Sequence, residues 1–531
     1  MFELGSPRPL QSPTVLVLSV LGALICHKIV SVYRAKKGIG FHPGRTFLLK
    51  PGDPLPNFFL PKIPGVSAGR NFFLIEEFKQ HDKNGSDVYS IVNLWPHTDV
   101  ELVLGGPEAI KEVTSSQRHF PKRLELYDSL GYFGRNLVVS EGDEWKRYRK
   151  IAAPAFNEKN TKLVCAESIK VMEDLFKLWD AKGTKSVVVE NVLEMTSLIA
   201  LFVIGGAAFG QRMSWTEGEP LSGEHKISFR KAMFGVSHDI FIKLGLPEWA
   251  MKLTEKTRAV DLAFTELDRY LHEMIHDRMH SGKLNETNDL FSNILRANSE
   301  EGLIPDPLTD AEVLSNVFLF LLAGHETTGH TMTFVFALLA LYQDEQDRLY
   351  EHINSVLPNG AESPSYSDLS KLNRVLAVLN ETMRLFPPAT NVPKKAAEDL
   401  TLTSVNSRGE RVVIPVPKGT NVSINVAALH HNPRHWQDSH AFKPDRFLGD
   451  YNKDAFIPFS AGTRSCIGKK FTETEIIVAI TMVVKRYKVT VKEEPRYAHE
   501  TFEQRKTRIL SNKPGITVTP IHVPLEFTRR D

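Results

Sequence analysis

The sequence predicts a mainly α-helical protein with small β-sheets, tethered by one N-terminal membrane segment. Three observations carry this. Long stretches space their apolar residues at helical intervals, among them Ala166 to Trp179, Ala259 to Met279, Asp310 to Tyr342 and Leu369 to Leu385. Strand signals are short and few: Val100 to Leu104, Arg411 to Val416 and Gly515 to Val523. Near the start, PTVLVLSVLGALICHKIVSVY, Pro13 to Tyr33, is about long enough to cross a hydrocarbon core, although His27 and Lys28 interrupt it.

In chain order, the first element is that apolar run. Only Arg8 precedes it, and the basic cluster Arg34 to Lys37 follows, an order that favours an uncleaved anchor with the large C-terminal part on the cytoplasmic side. Residues 1–37 are therefore read as the anchor. Residues 38–69 are rich in Pro and Gly and predict an extended hinge, and residues 70–531 show no repeat and no low-complexity linker, as expected of one large domain. Over the whole chain of 531 residues, 42% hydrophobic and 24% charged content describes an ordinary globular protein, and a net charge of +2 gives no argument for nucleic acid. The three cysteines, Cys26, Cys165 and Cys466, lie too far apart for a CxxC zinc site and are odd in number for a disulfide framework, which points to a reducing compartment. In a cytoplasmic domain the sequons at Asn84, Asn285, Asn380 and Asn421 are accidental.

The longest helical segment carries the most information. Thr309 and Glu312 form a capping box, and apolar residues then cover nearly every face for about eight turns. This predicts a core helix, because a second membrane span would hold the charged Glu326 near mid-bilayer. Its middle reads AGHETTGH. Gly324 and Gly329 weaken helix propensity there, and Glu326, Thr327 and Thr328 bring polar groups where burial is costly, so they need a partner or a task. His325 and His330 are read as hydrogen-bonded core histidines rather than metal ligands.

FSAGTRSCIGKKF, Phe459 to Phe471, sets Cys466 between Gly462 and Gly468. A lone intracellular cysteine is either an inert buried thiol or a thiolate, and the surroundings favour the second. The glycines permit a sharp turn and leave room for a planar ligand, Arg464 brings positive charge, and the helical pattern that follows puts Cys466 just before a helix N-terminus. These are the requirements of a thiolate ligand to haem iron.

Phe459, Gly462, Arg464, Cys466 and Gly468 match FxxGxRxCxG, and the chain thereby resembles the cytochrome P450 monooxygenases. Four further motifs share the likeness: AGHETT at Ala323 to Thr328, the ExxR pair Glu381 and Arg384, Lys443 to Phe447 with Arg446, and Trp145 to Arg149. Together they run in family order from about residue 70 to the end. The resemblance implies the P450 fold, with haem b between the long central helix and the Cys-bearing loop and Cys466 as axial ligand. It also implies that Trp145, Arg149 and Arg464 meet haem propionates, that Glu381, Arg384 and Arg446 form a buried structural triad, and that Glu326 and Thr327 relay protons beside the small residues Ala323 and Gly324. Lys394 stands where many members carry a propionate-binding arginine; lysine supplies the charge without the bidentate fork.

For function, the resemblance implies insertion of one oxygen atom from O₂ into a lipophilic substrate, at the endoplasmic reticulum membrane. Electrons would come from a separate NADPH-cytochrome P450 reductase, and from cytochrome b5, docking on a face where Lys469, Lys470 and Arg147 add positive charge. By resemblance the pocket draws on Lys122 to Phe133, Leu201 to Leu246, Phe318 to Thr328, Ala389 to Val392 and the region of Phe502. The type is microsomal and fungal, which suggests specialised-metabolite, for example terpenoid, tailoring. Alternatives are fatty-acid or xenobiotic hydroxylation, a same-fold isomerase or dehydratase working without O₂, and a non-catalytic haem binder; Glu326 with Thr327 argues against the last two.

Overall fold

The computed structural model describes residues 13–53, 55–211, 213–215, 225–280, 289–299, 307–358 and 360–530. Arg8, Asn285 and part of Leu201 to Leu246 lie outside the described residues. The chain falls into two compact units, one taking residues up to 121 with 393–429, the other 122–392 with 430 onward.

In the first unit, the apolar helix Pro13–Gly38 is exposed along nearly its whole length and ends on Lys36 and Lys37. The segment expected as an extended hinge is not loose. Gly44–Phe47 pairs in parallel with Val88–Asn93 at the edge of a five-stranded sheet completed by Asp99–Leu104, Asn421–Asn425 and Asn391–Lys395. Gly44 permits this, since a Cβ there would stand 1.9 Å from the Ser90 carbonyl oxygen. Phe47 and Ala68, both from the segment, are buried in one cluster with Phe72 and Tyr89. Burial of that ring outweighs the extended preference of the Pro and Gly around it. Asn421 is buried in its strand with its amide 3.1 Å from Asp99, which leaves no room for a glycan.

The expected strand Val100 to Leu104 lies within Asp99–Leu104, and Arg411–Val416 forms an antiparallel pair with Leu400–Val405. The third expectation is corrected. Of Gly515 to Val523 only Thr519–Pro520 is strand, paired with Asn512–Lys513, and the longer C-terminal strand is Leu525–Arg529, between Ser186–Val189 and Tyr487–Val491. The alternating pattern misleads because Gly515, whose Cβ would lie 2.7 Å from Thr519 Oγ1, closes a tight hairpin tip, and Pro520 cannot donate to a ladder.

The second unit is helical. Three expected helices are present as Glu158–Asp180, Glu255–His280 and Asp310–Leu341, and the fourth starts at Asn373 rather than Leu369, after a turn in which the Lys371 amide donates to Asp368. Both arms of the Thr309–Glu312 capping box form. The central helix then runs unbroken for 32 residues, about 48 Å at 1.5 Å per residue. Helix Val192–Phe209, also apolar enough to cross a membrane, is buried against it.

Gly324 and Gly329 make that contact. A Cβ at Gly329 would lie 2.8 Å from the Ser197 Cα, and one at Gly324 would lie 3.0 Å from Ile204 side-chain atoms, while Thr196 and Thr333 join their hydroxyls at 2.7 Å. The glycine at 324 therefore admits the neighbouring helix. Gly329→Ala should lower stability by about 1–3 kcal/mol in denaturant melts, because overpacking against backbone exceeds the roughly 1 kcal/mol gain in helix propensity. An Ala variant as stable as the parent would contradict this packing.

Candidate active site

Midway along the central helix most polar side chains have partners, and the buried Thr328 hydroxyl has none among the described residues. Thr327 Oγ1 donates to the Ala323 carbonyl at 2.8 Å, and Thr331 Oγ1 to the Thr327 carbonyl at 2.8 Å, so each hydroxyl returns a bond to the helix. His325 Nδ1 lies 3.0 Å from the Leu321 carbonyl with its ring edge-on to Phe234, and His330 Nδ1 lies 2.7 Å from Thr517 Oγ1. Burial pushes their pKa values down to about 4 and about 3, so both are neutral and hydrogen-bonded, as read from the sequence. Glu326 is buried, and desolvation raises its pKa to about 8 against the pull of hydrogen bonds from Thr517. Beside it Ala323 is exposed and Thr327 half-buried, so the alcohol borders accessible space while the carboxyl is buried.

The Cys-bearing loop is linked to the central helix by an aromatic contact. Its Phe156 neighbour packs on Phe320 of the central helix and on Phe471 just beyond Cys466, with ring centroids 5.7 and 5.0 Å away. Gly462 takes φ +70°, which favours glycine, and the Cys466 amide donates to the Phe459 carbonyl at 2.8 Å. Gly468 is different, since its φ of −85° suits any residue. What it offers is space: a Cβ there would sit 3.9 Å from Cys466 Sγ. The sulfur is accessible. Burial of the loop raises its pKa, opposed by the amides of Gly468 and Lys469 at the start of helix Lys469–Arg486 and by the charge of Arg149.

Arg149 donates to the Ser465 carbonyl at 3.3 Å. Arg464 lies over the Trp145 ring, 3.9 Å from its centroid, and meets Glu141 Oε2 at 2.5 Å. Trp145 thus supports a neighbouring cation rather than standing alone, and Glu141, which also accepts the Lys122 amide, is a partner with no sequence signature. These residues fit a haem b bound through its iron and its carboxylates. An accessible sulfur at a helix N-terminus has two arginines close by and an open flank where Gly468 lacks a Cβ.

Beneath the loop lies the charged clamp. Arg384 gives Nε and Nη2 to Glu381 at 2.8 and 2.9 Å, Nη1 to the carbonyls of His430 and Ser439, and Nη2 again to Ala441. All five of its N–H groups have acceptors. Arg446 Nε reaches Glu381 Oε1 at 3.3 Å, and the Lys443 amide reaches it at 2.9 Å. His430, also missed from sequence, accepts the Ile457 amide on Nε2 at 2.9 Å, which ties this network to the residues entering the Cys loop.

Lys394, expected beside a haem propionate, is buried in the strand Asn391–Lys395. Arg147 is not a free surface charge: it pairs with Glu312, which also accepts the Tyr148 hydroxyl. Lys469 and Lys470 are exposed, with Glu473 as their acidic neighbour. Phe502 rests edge-on to Tyr342, about 22 Å along the helix from Thr327 at 1.5 Å per residue, whereas Thr517 of the hairpin tip meets Glu326. Arg384→Leu would strand the Glu381 carboxylate and should cost about 3–5 kcal/mol in thermal or denaturant unfolding, with loss of retained haem. A variant that melts and binds haem like the parent would contradict the clamp.

Residues 61–519 match the family model described as Cytochrome P450. The chain is 43% identical over 525 residues to cytochrome P450 monooxygenase 124 of Postia placenta, across 98% of this chain and 100% of the relative. It is 30% identical over 393 residues to cyclooctat-9-en-7-ol 5-monooxygenase of Streptomyces melanosporofaciens, across 72% of this chain and 79% of that one. Among solved structures, the cytochrome P450DA heme domain superposes with a TM-score of 0.72 at 23% identity, covering 89% of this chain and 97% of that one, a likeness of fold. The chain belongs to the cytochrome P450 family, and it is a haem-thiolate monooxygenase.

Proposed function

We propose that this monooxygenase is anchored by residues 1–37 in the endoplasmic reticulum membrane, holds its haem through Cys466, receives electrons from NADPH-cytochrome P450 reductase, and oxidises a lipophilic terpenoid-type metabolite. The carrying observation is the placement of an accessible Cys466 sulfur and the Glu326–Thr327 pair on the two elements bridged by Phe156. Cytochrome b5 is a second electron donor on this reading, and the exposed Lys469 and Lys470 supply docking charge.

When bound, haem b supplies oxygen activation. The chain supplies the rest. Arg149 and Arg464 would neutralise the carboxylates of the group, and the two amides at the helix start would favour the thiolate state of Cys466. Glu326, with its pKa raised to about 8, carries its proton at neutral pH and can give it up beside the Thr327 hydroxyl. That pair favours monooxygenation over a rearrangement that consumes no protons.

The substrate reading rests on apolar lining and on one relative. Phe133 and Phe318 meet edge-on at 4.7 Å in the cluster that flanks the polar break, and Tyr132 meets Phe264 of that cluster at 4.7 Å. Aromatic walls of this kind select for bulk without polar recognition. The Streptomyces relative is named for oxidation of cyclooctat-9-en-7-ol. Incubation with reductase and NADPH against a panel of cyclic terpenes and fatty acids should give oxygenated terpenes; oxidation of fatty acids alone would refute the substrate class. In the same assay Glu326→Gln should slow product formation about 10²-fold and divert electrons to peroxide. Unchanged turnover would remove Glu326 from the relay.

A further inference from the structure

Glu326 and His330 stand one turn apart on a single face of the central helix, and the hairpin tip brings Thr517 between them. Thr517 Oγ1 donates to Glu326 Oε1 at 3.3 Å and lies 2.7 Å from His330 Nδ1. Glu326 Oε2, equally buried, has no hydrogen-bond partner among the described residues. The two oxygens of one carboxyl are therefore treated differently.

A hydroxyl has one proton to give. If Thr517 donates to Glu326, it must accept from His330, which requires the tautomer with hydrogen on Nδ1. That ring stays neutral because it is buried and because His325 of the same helix, Lys513 of the hairpin and His238 of helix Phe229–Gly245 face it with like charge or none. A neutral His330 is a fixed donor rather than a proton store. It sets the direction of the whole chain: His330 Nδ1–H to Thr517, Thr517 O–H to Glu326 Oε1.

We propose that Thr517, oriented by His330, is the positioning residue for Glu326, holding Oε1 as the accepting oxygen and confining the transferable proton to Oε2. This rests on Glu326 being the acid of the proposed relay. In the acid state the carbonyl is at Oε1 and the O–H at Oε2; giving up that proton leaves a carboxylate that Thr517 stabilises, and no other bond changes. Without the hydroxyl the carboxyl can turn, the proton can sit on either oxygen, and the ionised form loses a hydrogen bond in a site where burial already opposes charge.

The test uses haem-loaded enzyme and infrared spectroscopy of the protonated-carboxyl C=O stretch, assigned by its disappearance in Glu326→Gln. In the parent the band should fade as pH rises through about 8. Thr517→Val, which keeps the branched shape, should move that midpoint up by about one pH unit, a tenfold change in protonation constant. It should also raise the share of electrons lost to peroxide. Thr517→Ser should restore both, which separates the hydroxyl from any effect on folding of the hairpin. A Thr517→Val band that titrates like the parent overturns the inference and leaves the relay standing if Glu326→Gln uncouples the enzyme. Normal coupling in Glu326→Gln overturns the relay, and this inference with it.

Discussion

The catalytic half of the molecule depends on one buried ion pair. Glu381 and Arg384 have no exposed surface, and two charges without solvent are costly unless hydrogen-bonded. Here all five Arg384 N–H groups and both Glu381 oxygens have partners. The acceptors Arg384 chooses beyond Glu381 are main-chain carbonyls at 430, 439 and 441, and Glu381 in turn holds the Lys443 amide and Arg446. The pair thus fixes a stretch of irregular chain that has no ladder of its own. His430 passes that constraint on through the Ile457 amide, two residues before the loop that presents Cys466.

The central helix meets a different constraint, in that the same turn must pack and react. Its glycines let helix Val192–Phe209 approach closely, and Thr327, Thr331 and Thr333 return their hydroxyls to the preceding turn. Glu326 takes its hydrogen bond from outside the helix. Its partner comes from a hairpin almost two hundred residues later in the chain, which explains why a carboxyl persists in an apolar core.

Local signals were legible in the sequence. The capping box at Thr309 and Glu312, the periodicity of the long helices and the glycine turn before Cys466 each depend on residues a few positions apart, and the structure has them. The i, i+3 spacing of Glu381 and Arg384 was legible too, but their burial was not, because a surface pair reads the same. Glu141, His430 and Thr517 carry no local pattern; each matters through a partner that the fold delivers from far away. The Pro- and Gly-rich segment misled for the opposite reason. Its local preference for an extended chain was right, but sheet pairing at Gly44 and burial of Phe47 turn that extension into an edge strand.

The central claim is that this network serves to present the Cys466 sulfur to haem iron. The most direct measurement is the carbon monoxide difference spectrum of the reduced protein, recorded beside Cys466→Ser. A strongly red-shifted Soret band in the parent that is absent from a folded, haem-containing Ser variant is the predicted result. The same red-shifted band in both proteins, or in neither, would contradict it.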